Sequence, residues 1–190
     1  NKFKPLGSIK LTIQKFYRIN GGTNQLKGVI PDVVLPDAYA YIEVGEKEQD
    51  YSMPWDEITP ADFEVFDQPI ANREQVLVNS RERVAHHPTF QLIEENAQRL
   101  KKQRDESAYT LCLDKYNRKQ VELEEESKKF EDIQKTIEGL KISSLTSDKA
   151  AITENEEKQK TVKEWHEGLG KDVYLYEALQ VLKDIKEDVK

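Results

Sequence analysis

"GVIPDVVLP", residues 28–36, holds β-branched residues on both sides of a Pro-Asp turn and ends on a second proline. Val29-Ile30 and Val33–Leu35 read as two short strands broken at Pro31, which cannot donate to a ladder and so implies an edge or a bend. Upstream, "SIKLTIQKFYRI" (residues 8–19) alternates: Ile9, Leu11, Ile13 and Phe16 face one way, Lys10, Thr12 and Gln14 the other. Period-two alternation predicts a half-buried strand. Asn20-Gly21-Gly22 between the two stretches is a turn signal, since Asn and Gly tolerate positive φ. A short N-terminal β-hairpin is therefore expected.

Beyond residue 55 the pattern becomes helical. Thr59 reads as the N-cap of a helix over "TPADFEVF" (residues 59–66), with Pro60 in its first position and Asp62 in its first turn. A second helix is expected from Asn72 to about Ala85. Pro88 opens a longer one, with Phe90, Ile93, Ala97 and Leu100 spaced by three and four. Its pattern resumes through Ala108, Leu111 and Tyr116, and again through Phe130, Ile133, Ile137 and Leu140. Residues 141–160, poor in large apolar side chains, read as a loop or excursion. A last helix is expected from about Val173 to Asp188, capped by Asp172, with Leu175, Leu179, Leu182, Ile185 and Val189 as its apolar stripe. The fold class expected is α+β and predominantly α-helical. It divides into residues 1–55, a last β segment plus connection, and residues 56–190, a helical C-terminal domain.

Composition narrows the function classes. Of 190 residues, 34% are charged and 37% hydrophobic, and the net charge is −7. That balance argues against nucleic acid, which needs clustered Lys and Arg. "RLKKQR" (residues 99–104) is such a cluster, but acidic residues surround it and a solvated helix face is the preferred reading. Cys112, the single cysteine, excludes an intramolecular disulfide framework; a buried, inert thiol on a helix is expected. No apolar run approaches the ~20 residues of a membrane span. The first residue is Asn and the one methionine is Met53, so the chain reads as a piece of a longer protein.

Chemistry-bearing motifs are sparse. Adjacent His86 and His87 would point to different helix faces, whereas metal-binding pairs usually sit a turn apart, and His166 has no partner at fixed spacing. A helix-end or loop role is preferred for the pair. "VELEEESKKFED" lacks the alternating ligands and central glycine of a calcium loop. No G-x-S-x-G elbow or S-x-x-K pair is present, and "NGGTNQLKG" lacks the ending of a phosphate loop. No metal site, cofactor site or catalytic set is expected within these residues.

Residues 7–36 carry a more specific signal: a Lys10-Leu11-Thr12 stretch, an aromatic pair, a turn at Gly21 and Gly22, then Lys27-Gly28-Val-x-Pro31-Asp32. This pattern resembles the C-terminal processing peptidases, or tail-specific proteases, shortly after their catalytic lysine. "MPWDEI" (residues 53–58), "HHPTFQLIEE" (86–95) and "DVYLYEALQVLKDI" (172–185) are similar to the helical C-terminal region of the longer, envelope-located branch. Asp172-Val173 stands where that branch tends to have Asp-Pro.

The resemblance implies a serine endopeptidase with a Ser/Lys dyad, in which a desolvated lysine serves as base. It implies unstructured C-terminal tails as substrates, gripped partly by a PDZ domain, and a periplasmic or cell-envelope location. The serine and the lysine are expected upstream of Asn1, so neither Lys10 nor Lys15 is nominated as the base. The chain is then the non-catalytic C-terminal region, inactive alone. Its expected partners are the upstream protease and PDZ domains and an accessory adaptor. Self-association through exposed strands of residues 8–35 is a further expectation. The alternatives are a standalone helical, coiled-coil-type interaction protein and a hydrolase complete within 190 residues.

Overall fold

A computed structural model describes residues 7–9, 11–43, 45–64 and 70–187. The chain forms two compact units: Asn1–Asp32 with Ile42–Pro69, and Val33–Tyr41 with Ile70–Lys190. Among the described residues the second unit contains six α-helices: α1 (Arg73–His86), α2 (Pro88–Asp105), α3 (Leu113–Lys128), α4 (Lys149–Thr153), α5 (Glu156–Leu169) and α6 (Val173–Glu187). Helix α2 starts where proline fixes φ and lacks an N–H that would be unsatisfied anyway, and the ring of His87 accepts from the Thr89 N–H at 3.2 Å. Asn155 Oδ1 accepts from the Lys158 N–H at the start of α5 (3.0 Å). Asp172 caps α6, with Oδ1 accepting from the N–H groups of Tyr174 (2.9 Å) and Leu175 (3.0 Å).

The helical unit closes on Phe90, Ile93 and Val173, with Leu35, Val84, Ile133 and Ile137 packed against them. Phe90 also sits between aromatic edges, 5.6 Å from the His87 ring and 5.7 Å from Tyr174, a geometry the ring quadrupole favours. Helix α1 packs on both α2 and α6. Residues 33–41 lie along this unit: Tyr174 donates its hydroxyl to the Pro36 carbonyl (2.7 Å), the Tyr41 hydroxyl meets Glu94, and Arg104 donates to the Tyr41 carbonyl (3.0 Å). Val33–Leu35 is thereby committed to the helices.

The expected N-terminal β-hairpin is absent. Among the described residues there is no strand, only two isolated antiparallel bridges, Tyr17–Thr23 and Gly22–Glu57. The reason lies in where the backbone groups of the turn go. The Arg18 N–H donates to Gly22 O and the Gly21 N–H to Arg18 O, closing a tight turn (2.9 and 2.8 Å). From there the partners are distant in sequence: Thr23 N–H to Asp56 O, Ile58 N–H to Gly21 O and Ala61 N–H to Ile19 O. Val29–Leu35, the intended second arm, takes no part. Without it the alternation has nothing to bury against, and Ile9, Leu11 and Ile13 are 86%, 75% and 82% exposed.

The same pairing displaces the helix expected at Thr59. Residues 59–64 are not helical; Val65 and Phe66 lie outside the described residues. Four further differences concern the helical unit. Ala108 and Leu111 fall in the link between α2 and α3, and Cys112 is exposed and precedes α3 instead of lying buried on a helix. Ile137 and Leu140 fall beyond the 3-10 turn Lys129–Gln134 that follows α3. The expected excursion over residues 141–160 contains α4 and the start of α5, a helix the apolar pattern did not disclose. On α6, Leu179 and Leu182 point to solvent while Val173 and Glu177 are buried; Asp188 and Val189 lie outside the described residues.

Candidate functional site

The two short stretches richest in motif residues, around Gly21 and around Trp55, meet in the first unit. Gly21 has φ +84°, and a Cβ there would lie 2.1 Å from the Ile58 carbonyl oxygen. Only glycine permits both the conformation and the approach. Gly22 faces Trp55 at 3.6 Å from where its own Cβ would stand. The Lys27 ammonium sits over the Trp55 ring, 3.3 Å from its centre, within cation–π range. Lys15 donates to the Pro54 carbonyl (3.2 Å) and pairs with Asp56 (2.8 Å), whose other oxygen accepts from the Tyr17 hydroxyl (3.2 Å). The Lys15 hydrogen bond holds the Asp56 carboxyl below its ordinary value against a smaller opposing effect of burial, with Tyr17 adding to the lowering.

Of the motif residues, Gly21, Gly22 and Lys27 thus converge on residues 55–58. Gly28 lies beside them with its N–H on Asn24 O (2.8 Å) and φ +60°. Leu11 and Thr12 are exposed on the approach, and Pro31 and Asp32 are exposed beyond it. Lys10 lies outside the described residues. Lys15 and Lys27 are spent on a carboxylate and a ring, so the cluster is built to hold a loop in place. Trp55 and Asp56 were visible in "MPWDEI", but nothing in spacing linked them to a glycine turn over thirty residues away.

The helical unit contains a second polar constellation. Arg83 on α1 clasps Glu177 on α6, Nη2 to Oε1 at 2.8 Å and Nε to both carboxylate oxygens at 3.1 and 3.2 Å. Its Nη1 donates to Asp184 at 2.7 Å. Ser80, fully buried, donates its hydroxyl to Glu177 Oε1 at 2.7 Å. Burial disfavours the Arg83 charge, but hydrogen bonds to Glu177 and Asp184 outweigh it and raise its pKa further. Sequence reading missed this set. The signal was available: Val173, Glu177 and Asp184 recur at four and seven along α6, so carboxylates share a helix face with a valine that is buried.

The histidines serve helix ends and contacts. His86 Nδ1 lies 2.7 Å from the Glu82 carbonyl, His87 caps α2, and His166 Nε2 lies 3.4 Å from Ser144 Oγ. That last pair borders an open groove of about 760 Å³ lined by Leu140, Ile142, Ile152 and Val162 among others. No cluster of three or more metal-ligating side chains occurs among the described residues, and no described helix is long and apolar enough to cross a membrane.

Compared with known proteins, residues 39–187 match the family described as the C-terminal domain of tail specific protease. A tail-specific protease of Haemophilus influenzae is 36% identical over 110 residues, covering 56% of this chain and 16% of that protein. The matched stretch is thus about a sixth of the length of that relative. No solved structure matches.

Proposed function

We propose, because this chain belongs to the family of tail-specific protease C-terminal domains, that it is the non-catalytic C-terminal region of a serine endopeptidase that trims or degrades proteins from their tails. The carrying observation is the family match over residues 39–187, most of the chain. Two features of the chain support it. Lys15 and the motif lysine Lys27 are engaged by Asp56 and Trp55, and the part-buried Arg83–Glu177–Asp184 set ties α1 to α6. In this reading the Ser/Lys dyad and a PDZ domain belong to other segments of the protease, and the protease works in the periplasm or cell envelope. The helical unit supports the protease and PDZ domains, shapes the path of an unstructured tail, or seats an adaptor. The solvent-exposed Ile9, Leu11 and Ile13 give the first unit its contact with the remainder of the protease; in the isolated chain they offer a contact to a second copy.

Cleavage assays with a substrate bearing an unstructured, apolar C-terminal tail test the reading. The full-length gene product is expected to cut it and the 190-residue chain alone to leave it intact. Cleavage by the chain alone, stopped by a serine-directed inhibitor, would overturn the non-catalytic assignment. Against the coiled-coil alternative, Phe90, Ile93 and Ala97 among its apolar positions are buried within the chain's own helical unit.

A further inference from the structure

The hairpin of α2 and α3 ends in a tip that the protease reading does not use. Its arms run antiparallel: Glu106 pairs with Lys119, Glu95 with Lys129, and the Arg99 guanidinium lies 5.1 Å from the centre of the Phe130 ring. Those pairings make residues 106–112 the turn. "AYTLCL" (residues 108–113) sits there and is directed outward, with Tyr109, Leu111 and Leu113 77%, 103% and 70% exposed. Apolar side chains gathered at a projecting end need a reason, because single exposed leucines are common but clusters mark contacts.

Charge supplies the second observation. Residues 101–119 carry six Lys or Arg against three Asp or Glu, a local balance of +3 in a chain of −7. Along the shaft the sign reverses, with Glu122, Glu124, Glu125 and Glu126 on α3 and Glu94 and Glu95 on α2. A negative body with a positive end turns that end toward an anionic surface as it approaches. Asp105 and Glu106 beside the tip are paired with Arg104 and Lys119, which leaves Lys101, Lys102, Lys115 and Arg118 against Asp114. Tyr and Leu with such a basic collar behind them is the combination that interfacial lipid binding uses, apolar side chains entering the headgroup boundary while cations meet lipid phosphates. A protein partner fits less well. Three side chains offer far less than the roughly 800 Å² per partner of a specific protein interface, whereas a bilayer needs no shape complement.

We propose that the α2–α3 tip is a membrane-docking wedge, with Tyr109, Leu111 and Leu113 entering the interface of an anionic bilayer and Lys115 and Arg118 meeting its phosphates. The proposal is independent of the assignment as a protease region.

The test uses the 190-residue chain and two vesicle types, phosphatidylcholine alone and equal parts phosphatidylcholine and phosphatidylglycerol. Co-sedimentation is expected with the anionic vesicles only, weakening as salt rises. Leu111→Ser with Leu113→Ser is expected to weaken it about tenfold per leucine. Lys115→Glu with Arg118→Glu is expected to weaken it about 25-fold or more, from about fivefold per basic residue near such a surface. Both pairs are exposed, so helical circular dichroism should be unchanged. A polarity-sensitive fluorophore on Cys112, the single cysteine, should shift to the blue with anionic vesicles. The proposal falls if the chain ignores anionic vesicles, if either double variant binds as tightly as the parent, or if the fluorophore is already in an apolar setting without lipid. That last result would indicate a tip covered by protein.

Discussion

In the helical unit, Phe90, Ile93 and Val173 are buried with four further apolar residues packed around them. In the unit around Gly21, Ile9, Leu11 and Ile13 stand in solvent. There, backbone groups make the joints: Thr23 to Asp56, Ile58 to Gly21 and Ala61 to Ile19. The first arrangement is fixed by area removed from water, the second by a few directional bonds and one glycine that allows two backbones to touch. Side-chain burial tolerates local adjustment and fails by losing volume. Backbone docking through Gly21 tolerates almost no adjustment and fails by a single added carbon.

The largest effect expected on this contrast comes from the core. Phe90→Ala removes a ring that is 1% exposed and should cost the helical unit about 4 kcal/mol. Urea unfolding followed by circular dichroism at 222 nm reads it as a lower midpoint with an unchanged slope. A loss under about 1 kcal/mol, below the range for core aromatics, would mean that the ring is not the centre of the unit.

Glu177 tests whether the polar part of that core obeys the same rule. Glu177→Ala leaves Arg83 with Asp184 alone and Ser80 without its acceptor. A cost of about 2 kcal/mol is expected, because the fully buried Ser80 hydroxyl loses its acceptor and the part-buried Arg83 keeps one carboxylate of two. Replacing both partners, Arg83→Met with Glu177→Leu, should recover part of that loss, since Ser80 stays without its acceptor. If the double variant is no better than the single, the network contributes net attraction beyond cancelling its own burial.

Gly21→Ala addresses the other unit. The new Cβ would meet the Ile58 oxygen at 2.1 Å on a backbone with φ +84°, so the turn must open at a cost of about 2 kcal/mol. Trp55 fluorescence in a Trp165→Phe background reports the change, because Gly22 and Lys27 lie against that ring. Helical circular dichroism should be unaffected. An unchanged Trp55 spectrum would show that the close approach is not what holds the segment.

The contrast also explains what the sequence disclosed. Helices α1, α2 and α6 were legible to within a few residues because buried side chains recur at three and four and because Pro88 and Asp172 mark their starts. The α6 face was misassigned in part: Leu175 and Ile185 are half-buried, but Leu179 and Leu182 are exposed, and Arg83 and Ser80 offset the burial of Glu177 through hydrogen bonds that no single-helix pattern contains. Helix α5 was missed because it opens on Glu, Lys and Gln, and the apolar side that follows rests on Val162, Trp165 and Leu169 alone, with Trp165 largely exposed. The hairpin failed for a different reason. Alternation in residues 8–19 and the Asn-Gly-Gly turn are local signals, while the partner chosen by Gly21 and Thr23 lies at residues 56–58, and Val33–Leu35 is drawn to the helices. The family pattern singled out Gly21 and Gly22 without revealing what they touch.

The smallest effect is a titration. Lys15 donates to Asp56 and Tyr17 adds a second hydrogen bond, which together hold the carboxyl below its ordinary value. A depressed carboxylate contributes to the docked state at pH values above its unfolded value of about 3.9. The contribution fades as pH falls through the still lower value of the docked form, where the protonated acid no longer attracts Lys15. In the Trp165→Phe background, the Trp55 spectrum should therefore be flat from neutral pH down to about pH 4 and change only below it. Asp56→Asn should show the altered spectrum at neutral pH and no acid transition of its own. A transition that persists in Asp56→Asn would assign the acid sensitivity to another carboxyl and leave the backbone bonds through Gly21, not the Lys15 pair, as what keeps residues 53–58 against the turn.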